Sequence, residues 1–238
     1  MGLGTLINAL GVLAGGFVGM LIGHRISKNM QEAIMKAAAI SVIFLGIIGT
    51  CEHALRISEN KVVSQGAMML VVSLTLGTLI GELLNIEHLF ENLGIYLKKI
   101  TKSDKDNRFV DSFIMASLTI CIGAMSILGA IQDALFHDYS VLMAKTVLDG
   151  ITILIFTAAN GRGSIFSVVP LVIFQGGITV LAKFMEPIMT PAALTNLSLV
   201  GSVLIFCVGA NIIWKLKIRI ANMLPAIIIA VIFAFLPF

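Results

Sequence analysis

Residues 1–23 read MGLGTLINALGVLAGGFVGMLIG, an apolar run without a charged side chain and with glycine at every fourth position from Gly11 to Gly23. A bilayer core near 30 Å is crossed by about 20 apolar residues in a helix, so this stretch is long enough to span. Five further charge-free runs of that kind follow: Val62 to Gly81, Ser112 to Gln132, Gly163 to Ala182, Pro187 to Trp214 and Ile220 to Phe238. Ala33 to Thr50 becomes another span when Lys36 snorkels from its first turn toward the headgroups. Tyr139 to Ala159 completes the set, although it holds Lys145 and Asp149 inside the apolar run. The sequence therefore predicts an all-α integral membrane protein of about eight transmembrane helices, seven if one segment does not cross, as a single membrane domain over residues 1–238.

Composition agrees with that class. The chain is 58% hydrophobic and 12% charged, whereas soluble domains sit near 45–50% and about 25%. A net charge of +3, dispersed along the sequence, offers no nucleic-acid surface. Cys51, Cys121 and Cys207 lie far apart with no CxxC or Cys/His spacing, which argues against a disulfide framework, a metal site or a metal cofactor. No positive residue precedes the first apolar run, and it is too long and glycine-rich for a cleaved signal, so it reads as a span.

The connecting segments differ in sign. Those after spans one, three, five and seven carry Arg25, Lys28, Lys98, Lys99, Lys102, Lys105, Arg108, Arg162, Lys215, Lys217 and Arg219, whereas those after spans two, four and six carry only Arg56, Lys61 and Lys183. Positive-inside bias puts the first set in the cytoplasm and both termini outside. Trp214 and Tyr139 fall at span ends, where amphipathic rings anchor. In the long connection, Ile86, Leu89, Phe90, Leu93, Leu97 and Ile100 recur at helical spacing, so residues 86–108 read as a cytoplasmic amphipathic helix and loop. That helix lies on the inner leaflet, extends span three, or packs on the other loops.

Gly11, Gly15, Gly19 and Gly23 form one helix face, and Gly77 and Gly81 repeat the interval in span three. In lipid, close backbone approach through small residues is a main source of helix association, so another helix packs on that face. Gly4 to Leu21 and Gly163 to Val180 share an opening of Gly, hydroxyl residue, aliphatic and a late double glycine. Ser41-Val42-Ile43-Phe44 before Gly49 resembles Ser202 to Phe206 before Gly209. These echoes suggest inverted three-helix repeats, spans one to three and six to eight, flanking a central pair, as in many secondary transporters.

The chemistry-bearing residues are polar groups inside apolar runs. Lys145 and Asp149 lie four apart on one helix face, and a charge at the bilayer centre costs about 2.5–3.5 kcal/mol even on lenient scales, so they belong in a bundle interior. Lys145 is nearer the outer end, from where its stem can snorkel and leave Asp149 unpaired. Gln132 and Asp133 stand at the outer end of span four, Asn160 at the inner end of span five, Gln175 in span six and Asn8 in span one. Asn211 in span seven and Asn222 ahead of Pro225 add further amides. Pro170 with Gly176 and Gly177 makes span six the expected broken helix. His24, His53, His88 and His137 fall at interfaces or loops and read as ordinary polar ends. No GxxxxGK[ST], HExxH, GxSxG or redox CxxC is present, which argues against an enzyme.

The run Cys121 to Asp133 (CIGAMSILGAIQD), Lys145 to Gly150 (KTVLDG), Gln175-Gly176, the start Gly4 to Asn8 and Asn222 to Ala226 together resemble the bacterial multi-pass membrane family called domain of unknown function 554. The resemblance covers the whole chain and implies an integral protein of the bacterial cell membrane, with its polar motif on Gln132, Asp133, Lys145, Asp149 and Gln175. The leading expectation is a transporter or channel for a small solute or ion. In it Asp149 and Lys145 form the charged centre, Gln132 and Asp133 the outer approach, and Gln175, Asn8 and Asn160 supply hydrogen bonds. The alternative is a membrane scaffold or sensor. The partners expected are the bilayer and a small solute or ion, with a homo-oligomer allowed.

Overall fold

The computed structural model describes residues 2–23, 25, 27–58, 61–103, 106–122 and 124–236, so His24, Lys105, Gly123 and Phe238 of the sequence reading lie outside the described residues. In chain order the elements are α1 (Leu3–Gly23), α2 (Lys28–Ala54), the hairpin β1 (Leu55–Ser58) and β2 (Lys61–Ser64), α3 (Ala67–Leu84), α4 (Ile86–Ile100), α5 (Phe109–Cys121), α6 (Ala124–Phe136) and α7 (Ser140–Asn160). A 3-10 turn (Arg162–Ser167), α8 (Val168–Met185), α9 (Pro191–Trp214), α10 (Ile220–Met223) and α11 (Pro225–Phe233) follow.

Among the described residues six helices are long and apolar enough to cross a membrane, and α5 with α6, bent by 59°, makes a seventh if the pair is one span. The last expected span differs. Pro225 opens a new helix after the single turn of α10, because it lacks the N–H that would continue the ladder. At 1.5 Å per residue the stretch Ile220–Phe233 is roughly 20 Å long, short of a full crossing.

The broken span is also not the expected one. Pro170 is the third residue of α8, in the first turn, where no intrahelical acceptor waits for its nitrogen, and α8 runs on unbroken through Gly176 and Gly177. The break lies in span four, where Ile122 closes α5 in an extended conformation (φ −79°, ψ 125°) before α6 sets off in a new direction.

Glycine contacts fix how the helices pair. A Cβ at Gly11 would strike Thr146, one at Gly15 the Gly150 carbonyl, one at Gly19 the Leu154 carbonyl, and one at Gly23 would sit 2.9 Å from the Ala158 oxygen. Both number series rise together, so α1 and α7 run parallel with their backbones in direct contact. Gly46 faces Phe206 and Gly49 faces Ser202, while Gly209 faces Ala39 and Ile43, so α2 and α9 are antiparallel. Gly77 meets Ala226 and Gly81 meets Asn222, which seats α3 antiparallel on α10 and α11. Along the chain the direction alternates, and the start of α1 and the end of α11 come to the same end of the bundle. Leu6, Leu10, Phe17, Leu21 on α1 and Phe44, Leu45, Ile48 on α2 stay exposed, the apolar outer surface a lipid-embedded bundle presents.

At the opposite end the chain turns sharply after α3 at Asn85, whose φ of 50° stops the helix, so α4 is not an extension of span three. α4 and α10 cap one another: Glu87 N–H donates to Asn222 Oδ1 (2.6 Å) and Ala221 N–H donates to Glu87 Oε2 (3.2 Å). Each satisfies a donor of a helix first turn that has no intrahelical acceptor. Gly94 lets α4 lie against Phe113 and Val110 of α5, and Ile86 and Phe90 pack into the core while Leu89, Tyr96 and Ile100 remain exposed. The hairpin, paired Leu55 with Ser64 through Ser58 with Lys61, was not expected from the sequence. Four-residue strands carry too little period-2 signal beside a strong helical run.

Candidate functional site

Asp149 is the tenth residue of the 21-residue α7, hence near mid-length, and both it and Lys145 are 6% exposed. The Lys145 ammonium donates to Asp149 Oδ2 on the same helix and to the Ile120 carbonyl across it (2.7 Å). Lys145 therefore does not snorkel. Ile120 belongs to the last turn of α5, where carbonyls have lost their intrahelical donors and the helix carries partial negative charge. The break in span four thus presents a bare carbonyl at membrane depth and Lys145 caps it. Ser126 at the start of α6 approaches the same oxygen at 3.5 Å.

Two other helices close the network. Asn8 Nδ2 of α1 donates to Asp149 Oδ2 (3.0 Å) and, at 3.4 Å, to Gln175 Oε1 of α8. Asn8 is fully buried and Gln175 is 1% exposed. The parallel glycine contact makes this reach feasible, since only backbone-to-backbone packing of α1 on α7 brings a short amide to a carboxylate on the neighbouring helix. Lys145, Asp149, Asn8 and Gln175, scattered over four sequence spans with the Ile120 carbonyl, so form one connected buried cluster.

Asp133 sits one turn nearer the start of α1. Its Oδ2 accepts from Gly4 N–H (3.0 Å), placing a buried carboxylate at the N-terminus of α1, where the helix dipole favours negative charge. Two of the three buried charged side chains described, Asp133 and Lys145, thus face helix ends that suit their sign: Asp133 the start of α1, Lys145 the end of α5. Gln132 is next to it on α6, its Oε1 buried and unpartnered among the described residues. At the adjacent loop Asp138 accepts from Ser140 (3.0 Å), and the Ser140 side chain and backbone hold its carboxyl below the ordinary value.

Asn160 does not join the cluster. It follows Asp149 by eleven residues, about 16 Å along the helix, and its Nδ2 turns to Met35 Sδ at 3.5 Å. Asn211 is committed as well, bonding both ways with Ile218 (2.7 and 2.9 Å). His53 accepts at its carbonyl from Gln65, His88 pairs with Asn92 and His137 turns the α6–α7 loop at φ 55°. What the sequence reading missed is a backbone group, the Ile120 carbonyl, together with the buried hydroxyl of Thr5 one turn before Asn8.

Several buried polar atoms around the cluster are unpartnered among the described residues: Asn8 Oδ1, Gln175 Nε2, Gln132 Oε1 and Thr5 Oγ1. More than nine in ten buried polar groups normally find a partner, so four orphans on facing helices are unusual. Leaving one unpaired costs about 1–3 kcal/mol. They include acceptors and a donor, the complement a small polar or ionic guest would need.

The chain resembles two proteins over nearly its full length. It is 30% identical over 226 residues, 95% of this chain and 93% of the relative, to the "Uncharacterized membrane protein YdfK" of Bacillus subtilis (strain 168). It is 26% identical over 234 residues, 97% and 95% of the two chains, to the "Uncharacterized protein YqgA" of Escherichia coli (strain K12). No solved structure gives a significant match. The family model described as "Protein of unknown function (DUF554)" matches residues 3–235, nearly the whole of this bundle of glycine-packed apolar helices, and the chain belongs to the DUF554 family.

Proposed function

We propose that this protein moves a small solute or ion across the bacterial cell membrane, without catalysis, through the cluster of Lys145, Asp149, Asn8 and Gln175, with Gln132 and Asp133 lining the outer approach. The observation that carries the reading is a connected, charged, mid-helix cluster with orphaned amide groups of both senses beside it. Ionisable groups at such depth otherwise face bundle interiors or wet cavities on solute and proton paths. Purified protein screened against small ions and metabolites is expected to show a solute-dependent rise in melting temperature. The rise should vanish in Lys145→Met/Asp149→Leu; a full rise in that variant would remove the site from this cluster.

Carrier-type motion is the reading that an inverted repeat of spans one to three and six to eight favours. Span one packs on span five and span six on span four, while two packs on seven and three on eight. A two-fold axis in the membrane plane relating spans one to three to six to eight generates that pattern of neighbours. The scaffold reading is favoured only by α4, which leaves Leu89, Tyr96 and Ile100 exposed beside Lys98 and Lys99.

Both termini are assigned to the extracytoplasmic side, from the eleven cations in alternate loops against three in the others. With the native cysteines replaced by serine, a cysteine at position 2 is expected to react with an impermeant maleimide on intact cells. Reaction only after the membrane is opened would reverse the orientation.

A further inference from the structure

Resting on that reading of the site, we infer that Lys145 is a tethered cation in a site built for a monovalent metal ion, and that the solute is an alkali cation that displaces its ammonium. Four oxygen acceptors converge there, beside the amide N–H groups of Asn8 and Gln175. Asp149 Oδ2 and the Ile120 carbonyl hold the ammonium, Gln175 Oε1 is engaged only by a long bond from Asn8, and Asn8 Oδ1 has no donor at all among the described residues. Carboxylate, amide and backbone oxygens are the hard ligands that alkali and alkaline-earth ions prefer. A helix C-terminus adds to the negative potential at Ile120.

Charge decides the valence. One carboxylate and neutral oxygens balance one positive charge. Among the described residues no group of three His, Cys, Asp or Glu is placed to hold a metal ion, so a divalent ion would be left under-neutralised. In a water-poor interior the ammonium cannot leave unless another cation takes its place, because the Asp149 carboxylate would be stranded at a cost of several kcal/mol. Exchange of one monovalent cation for the lysine head keeps Asp149 neutralised, and the flexible four-carbon stem lets Nζ carry its own charge toward the start of α7, five residues away, while its backbone stays in place. The arrangement has the logic of a carrier that is never empty of positive charge.

The test uses the full chain in detergent, with melting temperatures in sodium, potassium or choline chloride at equal ionic strength. Lys145→Met removes the internal competitor and is expected to melt about 5 °C or more higher in at least one alkali salt near 100 mM than in choline, the shift that binding well above Kd produces. The parent should show a smaller shift, and Lys145→Met/Asp149→Leu none. A folded, monodisperse Lys145→Met with the same melting temperature in all three salts overturns the inference. Should that variant not be recovered in any salt, binding of radioactive sodium and rubidium to the parent decides: saturable binding abolished by Asp149→Asn upholds it, and no binding overturns it. A parent protected by a non-cationic solute yet indifferent to alkali ions would also overturn it, while leaving the transport reading intact.

Discussion

Asp149→Leu alone, measured in choline chloride, is expected to lower stability by on the order of 3–5 kcal/mol, and adding Lys145→Met is expected to restore most of the loss. The single change strands an ammonium that is 6% exposed with only the Ile120 carbonyl for company, and breaking a buried pair from one side carries that size of penalty. For a chain of this length it corresponds to a fall in melting temperature on the order of 10 °C. The double change removes both charges from the bundle interior, and apolar replacement of a buried pair is often neutral. What remains is the uncapped Ile120 carbonyl, with the Ser126 hydroxyl already 3.5 Å away, and an Asn8 amide left with its long bond to Gln175, each worth about 1 kcal/mol. Thermal melts of the parent, both single variants and the double variant check it. A double variant as unstable as either single one would mean that packing of the long side chains, not charge pairing, holds the site.

Gly15→Ala is expected to destabilise this protein strongly, while Gly177→Ala should be silent. At Gly15 a Cβ lands on the carbonyl oxygen of Gly150, a backbone atom that cannot rotate away, so α1 must lift from α7. Overpacking of this kind costs about 1–3 kcal/mol, and here the lift also withdraws Asn8 from Asp149. At Gly177 a Cβ meets nothing within 4 Å, and alanine is the better helix former. The melting temperature of Gly15→Ala should fall by about 5 °C or more and that of Gly177→Ala should hold or rise. Equal melting of the two variants would show that α1 does not rest on α7.

The membrane class was legible because each crossing needs some 20 apolar residues, a signal that survives without any knowledge of packing. Lys145, Asp149, Asn8 and Gln175 were legible for the complementary reason: a polar side chain inside such a run must be accommodated by protein. The face of Gly11 to Gly23 announced a close neighbour, but nothing in the spacing said that the neighbour was α7 or that the two helices run parallel. The broken span was misplaced because proline and glycine are local signals. Pro170 falls harmlessly in a first turn, whereas the break after Ile122 carries no proline and its Ile120 carbonyl is met by Lys145, more than twenty residues away. Asn160 was grouped with the site because its helix is shared with Asp149, and rise per residue alone separates them. Pro225 divides the last apolar run, which hydropathy reads as continuous, into a single turn and a nine-residue helix.

Flux into reconstituted vesicles separates transport through this cluster from an architectural role for it. Parent protein, supplied with labelled sodium or rubidium and with a panel of small metabolites, is expected to accelerate entry of at least one species over protein-free vesicles. Lys145→Met/Asp149→Leu, reconstituted at the same density and melting near the parent, is expected to lose at least about tenfold of that rate, since the group that carries charge at membrane depth is gone. A double variant that transports the same species at the parental rate would contradict the account and return Lys145 and Asp149 to a purely architectural role.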